Sequence, residues 1–195
     1  MQVKDFKELY IEELRDIYSA ENQLVEALPK IANAATSQSL VSALRKNLSQ
    51  TRRHVDRLER IFRDLEEEPA GHACETIQGF IRDNAEVIDH VEEGPLCDSA
   101  LIIGCQKIEH YEIAGYGSLK VFAQLMGYER HVGFLNETLE EEMDADRDLS
   151  GLAHEIYGMG VPPSPNEKDR PLMVIVETTV GYMPTSASER LKYFR

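Results

Sequence analysis

Apolar residues recur at helical spacing over most of the chain and predict four long helices. The first runs from about Lys4 to Ala35. Its stripe is Phe6, Leu9/Tyr10, Glu13/Leu14, Ile17, Glu21, Leu24, Leu28 and Ile31. Pro29 falls late in this segment and should kink it or remove a ladder bond. Thr36-Ser37-Gln38-Ser39 is a polar joint able to cap the next helix, about Leu40 to Glu67. Leu44, Thr51, Leu58 and Leu65 form the midline of that helix. Leu48, Val55 and Phe62 flank it on one side, with Asn47, His54 and Ile61 on the other and Gln50 one turn before His54. Pro69 and Gly71 end it. A shorter amphipathic segment, about Cys74 to Glu92, closes at Gly94-Pro95. The third long helix covers about Leu96 to Met126 and stops at Gly127. The fourth covers about Glu129 to Tyr157 and stops at Gly158 and Gly160.

Acids interrupt these apolar stripes. The inward face of the third long helix reads Ile102, Cys105, Glu109, Glu112, Tyr116, Leu119, Ala123, with two carboxylates where Leu or Ile would fit. Residues three apart on a helix are neighbours, and two like charges buried side by side are costly without a cation. Lys107 lies on the opposite side of the helix, which leaves a metal ion as the natural compensator. The fourth helix repeats the interruption in the stripe Leu135, Leu139, Glu142, Asp146, Leu149, Ala153, Ile156, with Glu141 beside Glu142 on the wheel. Glu21 does the same in the first helix.

The segment from about Cys74 to Glu92, between the second and third long helices, is long enough to carry the chain from one end of a bundle to the other. The expected fold is therefore all-α: a ferritin-like antiparallel four-helix bundle over residues 1–160, with an extra crossover helix. After Gly160, Val161-Pro162-Pro163-Ser164-Pro165 cannot continue a helix. Residues 161–195, with a β-like run at Leu172–Val176, read as an extended or disordered tail.

Composition narrows the choices. A net charge of −14 repels a phosphate backbone, so nucleic acid is not expected as a partner. No apolar run is long enough for a membrane span, and the N-terminus lacks a signal-peptide core. Three cysteines, Cys74, Cys97 and Cys105, fit a reducing cytoplasm better than a disulfide framework. Cys105 reads as a small core hydrophobe. The arginines of the second helix (Arg45, Arg52, Arg53, Arg57, Arg60, Arg63) read as a solvated face, and His72, His90, His110, His131 and His154 as surface or interface residues.

In an antiparallel bundle the helix midpoints meet at one height. The potential metal ligands there are Glu21, Gln50, His54, Glu109, Glu112, Glu142 and Asp146. Five carboxylates carry about −5 and two divalent ions about +4, so a dinuclear centre nearly balances the layer. Carboxylate with imidazole suits iron or manganese, and zinc also binds such a set. Glu109 is the bridging candidate in this reading, with Glu21, His54, Glu112, Glu142 and Asp146 as terminal ligands. Tyr116 most simply donates a hydrogen bond to a carboxylate.

Tyr18-Ser19-Ala20-Glu21-Asn22-Gln23-Leu24, Ala27-Leu28-Pro29-Lys30, Gln106 to Ala114 and Glu137 to Glu142 resemble the YciE/YciF family of bacterial ferritin-like stress proteins. The resemblance covers about residues 4–157. It implies a dimeric, rubrerythrin-like bundle with a dinuclear site drawn from Glu21, Glu109, Glu112, the Glu141/Glu142 pair and Asp146. One departure is Gln50-Thr51-Arg52-Arg53-His54, where glutamine stands in place of the family's glutamate. Its neutral carbonyl is a weaker ligand for a hard cation, so one ion instead of two is an outcome to test. Two functional classes follow: a di-metal protein reducing O2 or peroxide, and a non-enzymatic dimeric stress module whose buried acids are protonated or paired.

Overall fold

A computed structural model describes residues 4–160. The expected tail, 161–195, with its β-like run, lies outside the described residues. Five helices follow one another: α1 (Phe6–Ala34), α2 (Gln38–Leu65), α3 (Glu75–His90), α4 (Pro95–Leu125) and α5 (Glu129–Gly160). Their ends are set locally. Asp5 caps α1 by accepting from the Glu8 N–H at 2.9 Å, and Ser37 caps α2 by accepting from Leu40. Pro95 opens α4 directly after Gly94, whose φ of 130° suits glycine. α1 continues through Pro29, which sits inside it.

Cross-helix pairs fix the topology. Arg15–Glu67 and Tyr18–Glu59 run α1 and α2 antiparallel as one hairpin. Gln106–Ser150 and Lys120–Asn136 do the same for α4 and α5. Lys46–Asp148 and Arg57–Glu137 pair α2 antiparallel to α5. α1 meets α4 antiparallel, with Phe6 beside Phe122 at one end and Thr36 on Asp98 at the other. The Asp98 carboxylate, buried, accepts from the Thr36 and Ser37 N–H groups at 2.8 Å each, locking the α1–α2 turn to the start of α4. α3 is the crossover and packs on α1 and α4. It approaches α4 closely at Gly104, where a Cβ would fall 2.3 Å from Asn84 Oδ1.

The core is divided along the bundle axis. One apolar cluster holds Leu24, Leu28, Ile31, Leu40, Leu44, Leu101, Ile102, Cys105 and Leu149. The other holds Tyr10, Leu14, Ile17, Leu58, Phe62, Leu119, Leu135 and Leu139. Between them lies a polar layer at mid-bundle. Three sequence expectations differ here. Phe6 is 74% exposed and lies outside the core. His131 is buried rather than superficial, 3.3 Å through Nδ1 from the Tyr10 hydroxyl. Arg57, expected on the solvated face, is buried in the α2/α5 groove with Glu137, Thr138 and Glu141.

Candidate metal centre

Each long helix sends polar side chains into the mid-bundle layer: Glu21 from α1, Gln50 and His54 from α2, Glu109 and Glu112 from α4, and Glu142 from α5. All are buried. The spacing explains why. Glu109 and Glu112 stand three residues apart on the face that also buries Cys105 and Tyr116, and Gln50 and His54 stand four apart. Ligand atoms of Glu21, His54 and Glu142 lie within 4.8 Å of one another, and so do those of Glu109, Glu112 and Glu142. Glu142 belongs to both groups.

Hydrogen bonds hold the rim of this layer. The Tyr116 hydroxyl donates to Glu21 in a short contact, and Asn47 Nδ2 donates to Glu109 at 2.9 Å. His54 Nε2 faces Glu141 at 2.9 Å, while Nδ1 faces inward, 2.8 Å from Glu142 and 3.3 Å from Glu21. The interior is unsatisfied. Six buried side-chain atoms among the described residues lack a well-directed hydrogen bond, and five of them belong here: Glu21 Oε2, Gln50 Oε1, His54 Nδ1, Glu109 Oε2 and Glu112 Oε1. Buried polar atoms rarely go without partners, because each costs the desolvation of the group. Five electron-pair donors converging on one dry layer fit a cation, and this oxygen-rich set with one imidazole fits iron, manganese or zinc.

The electrostatics agree with that fit. Burial pushes the Glu109 and Glu112 carboxyls well above the usual carboxylate range, and the charge of Glu142 adds to both shifts. Burial also raises Glu21, with His54 opposing. Burial alone would lower His54, but Glu21 and Glu142 outweigh it and hold the imidazole up at about 10. Without metal, the layer therefore resolves its repulsion by keeping protons. Those are the protons a cation would displace. Burial keeps the Tyr116 hydroxyl protonated, with Glu21 reinforcing it, so the tyrosine remains a donor.

The structure brings together Glu21, His54, Glu109, Glu112 and Glu142, with the orphaned Gln50 carbonyl at the same level. Asp146 belongs to neither group. It is partly exposed and lies 3.4 Å from Gln106 Nε2 and 3.5 Å from His110 Nε2. Of the adjacent acids Glu141 and Glu142, Glu142 is buried and belongs to both groups, whereas Glu141 turns into the α2/α5 groove and meets Arg53 and Arg57. Sequence reasoning named Glu109 as the bridging candidate, and the structure places Glu109 in one group and Glu142 in both. It missed Asn47, whose amide holds Glu109. Asn47 stands on the His54 flank of α2, so the signal was present in the helical spacing.

Comparison with known proteins matches residues 5–160 to a family described as a domain of unknown function, DUF892. Protein YciF of Escherichia coli K12 is 37% identical over 154 residues, covering 78% of this chain and 93% of that protein. The crystal structure of the E. coli stress protein YciF superposes with a TM-score of 0.77 at 36% identity, over 80% of this chain and 99% of that one. YcfI of Rhodopseudomonas palustris superposes with a TM-score of 0.73 at 35% identity, over 76% and 95%.

Proposed function

Because this chain belongs to the DUF892 family and has a YciF-like helical bundle, we propose that its mid-bundle layer holds two divalent metal ions, iron or manganese, in a stress-associated protein of the cytoplasm. The observation that carries this reading is the set of five orphaned donors on buried side chains of α1, α2 and α4, facing a shared carboxylate on α5. Glu21, His54 and Glu142 would hold one ion, and Glu109, Glu112 and Glu142 the other. Gln50 completes the second position with a neutral oxygen, a weaker ligand than a carboxylate. Glu142, common to both groups, would serve both ions.

Such ions, when bound, supply the electrons for reduction of a small oxidant, O2 or peroxide. The chain supplies the rest. Tyr116 orients Glu21 and Asn47 orients Glu109, while the two apolar clusters keep bulk water from the layer. A cavity of about 10 Å³, room for about one water, is lined by Asn47, Gln50, Glu109 and Asp148 beside the second group. A homodimer is part of this reading, as is a cytoplasmic location. The buried cysteines are free, and no described helix is long and apolar enough to cross a membrane.

Metal content tests it. Untagged protein, expressed with iron and manganese available, is measured by plasma mass spectrometry beside Glu109→Ala/Glu112→Ala and Asp146→Asn. The expected result is about two equivalents in the wild type, loss in the double variant and wild-type content in Asp146→Asn. About one equivalent in the wild type assigns the weak position to Gln50. None in any protein, after anaerobic reconstitution, overturns the reading and leaves a non-enzymatic stress module whose acids are held by protons and His54.

A further inference from the structure

His54 offers its two ring nitrogens in opposite directions. Nδ1 faces the layer between Glu142 and Glu21, and Nε2 faces outward onto Glu141 Oε2 at 2.9 Å. Glu141 is itself held from both sides. Its Oε1 accepts from Arg53 Nη2 at 2.7 Å, and its Oε2 accepts from Arg57 Nη1 at 2.7 Å. Arg57 is fixed in turn, with Nη1 on Thr138 Oγ1 at 3.2 Å and Nη2 on Glu137. All these residues stand on α2 and α5, the helices that also present His54 and Glu142. Successive helical residues diverge by about 100°, which sends Glu142 inward and its neighbour Glu141 into the groove.

An imidazole that binds metal through one nitrogen carries its proton on the other. An acceptor placed at that second nitrogen fixes both the tautomer and the angle of the ring. A carboxylate beside a metal centre would ordinarily compete to become a ligand. Here both Glu141 oxygens are engaged by arginine, and one is also engaged by His54.

We propose that Glu141, clamped by Arg53 and Arg57, is the positioning residue that aims His54 Nδ1 at the metal and is not itself a ligand. The inference rests on the metal-centre reading above and deepens it. It divides the adjacent acids of α5 into two roles: Glu142 meets the ions, and Glu141 orients the imidazole. It also gives a purpose to an arginine buried in a bundle groove.

The test uses the full chain as wild type, Glu141→Leu and Glu141→Gln, titrated with Zn²⁺ against a chromophoric chelator. Far-UV circular dichroism confirms the fold, and ¹⁵N-edited NMR of the histidine side chains is recorded on the zinc-loaded proteins. Glu141→Leu removes the acceptor and weakens one zinc site by about 10- to 100-fold, with the full number of ions still bound at saturation. Glu141→Gln keeps an oxygen facing Nε2 and recovers part of that loss, a graded rescue that a merely structural role would not give. The His54 Nε2–H signal exchanges slowly with water in the wild type and fast in Glu141→Leu. Unchanged affinity in Glu141→Leu overturns the proposal. So does loss of a whole equivalent at saturation in both variants, which would make Glu141 a ligand. If Glu141→Leu does not fold, Glu141→Gln alone decides, by a protected or unprotected Nε2–H. Failure of the wild type to bind zinc removes the metal-centre reading first, and is visible without the variants.

Discussion

Glu112 is the residue at which stability and chemistry pull apart. It occupies a position that the apolar stripe of α4 would give to leucine. It is 2% exposed and keeps one carboxylate oxygen without a partner. Replacing a buried, poorly satisfied acid with an apolar side chain of similar volume relieves its desolvation and the repulsion from Glu142 and Glu21. Glu112→Leu should therefore stabilise the metal-free protein by about 1–3 kcal/mol and remove the second metal position. Urea unfolding of both proteins in chelator checks the first half, and plasma mass spectrometry the second. A less stable variant would mean that Glu112 is well satisfied in the metal-free state. At this scale the sequence was informative wherever helical spacing alone sets direction: Glu21, Glu109, Glu112 and Glu142 all lie on stripes and are all buried. It was uninformative wherever direction depends on the neighbouring helix. Arg57 points away from its own midline, and only α5, through Glu137 and Glu141, makes that position an interior.

The helices themselves were legible to within about three residues at each end. The Ser37 cap of α2, Pro95 at the start of α4 and Gly127 after its end are short-range signals. Phe6 shows the limit: its spacing continues the α1 stripe, but the first turn lies at the end of the bundle, where it stays largely exposed beside Phe122. One local choice goes against the usual chemistry. α2 ends on Glu66 in the left-handed conformation, φ 58°, which L-residues adopt at a cost and glycine adopts freely. Glu66→Gly should raise stability by about 1 kcal/mol, read as a higher urea midpoint at unchanged m-value. The converse holds at Gly94, where φ 130° and ψ −161° lie in a region essentially reserved for glycine.

For the whole molecule, the polar layer sets how stability responds to pH. The folded-state value of His54 is raised from 6.5 to about 10, so its contribution is complete below about 6.5 and disappears as pH rises towards 10. Glu109 and Glu112 act in the same direction: their raised values mean that ionisation costs stability once pH exceeds the ordinary value of 4.5. Glu141 acts oppositely. Burial would raise it, but Arg57, Arg53 and His54 outweigh burial and lower it to about 2, so its contribution is present above 4.5 and is lost as pH falls towards 2. Metal-free protein should therefore melt at its highest temperature near pH 4–5 and at steadily lower temperatures as pH rises from there to 10, most steeply once His54 joins the decline above 6.5, followed by scanning calorimetry in chelator. Added Mn²⁺ should flatten or reverse that decline, because it takes the place of the protons. A decline that Mn²⁺ leaves untouched would argue against the centre.

The arrangement of two hairpins, α1 with α2 and α4 with α5, has a kinetic consequence. Each closes over a short turn, at Ala35–Ser37 and at Met126–Tyr128, and can form from local contacts before meeting the other. The layer is divided between them: Glu21, Gln50 and His54 arrive on one hairpin, and Glu109, Glu112 and Glu142 on the other. Repulsion among Glu109, Glu112 and Glu142 is felt within the α4–α5 hairpin, and repulsion between these acids and Glu21 is felt only when the two hairpins dock, late on the folding route. A divalent ion that needs both halves binds only after docking, so it slows unfolding far more than it speeds folding. Such an ion would act as a latch on the finished bundle and not as the seed around which it forms.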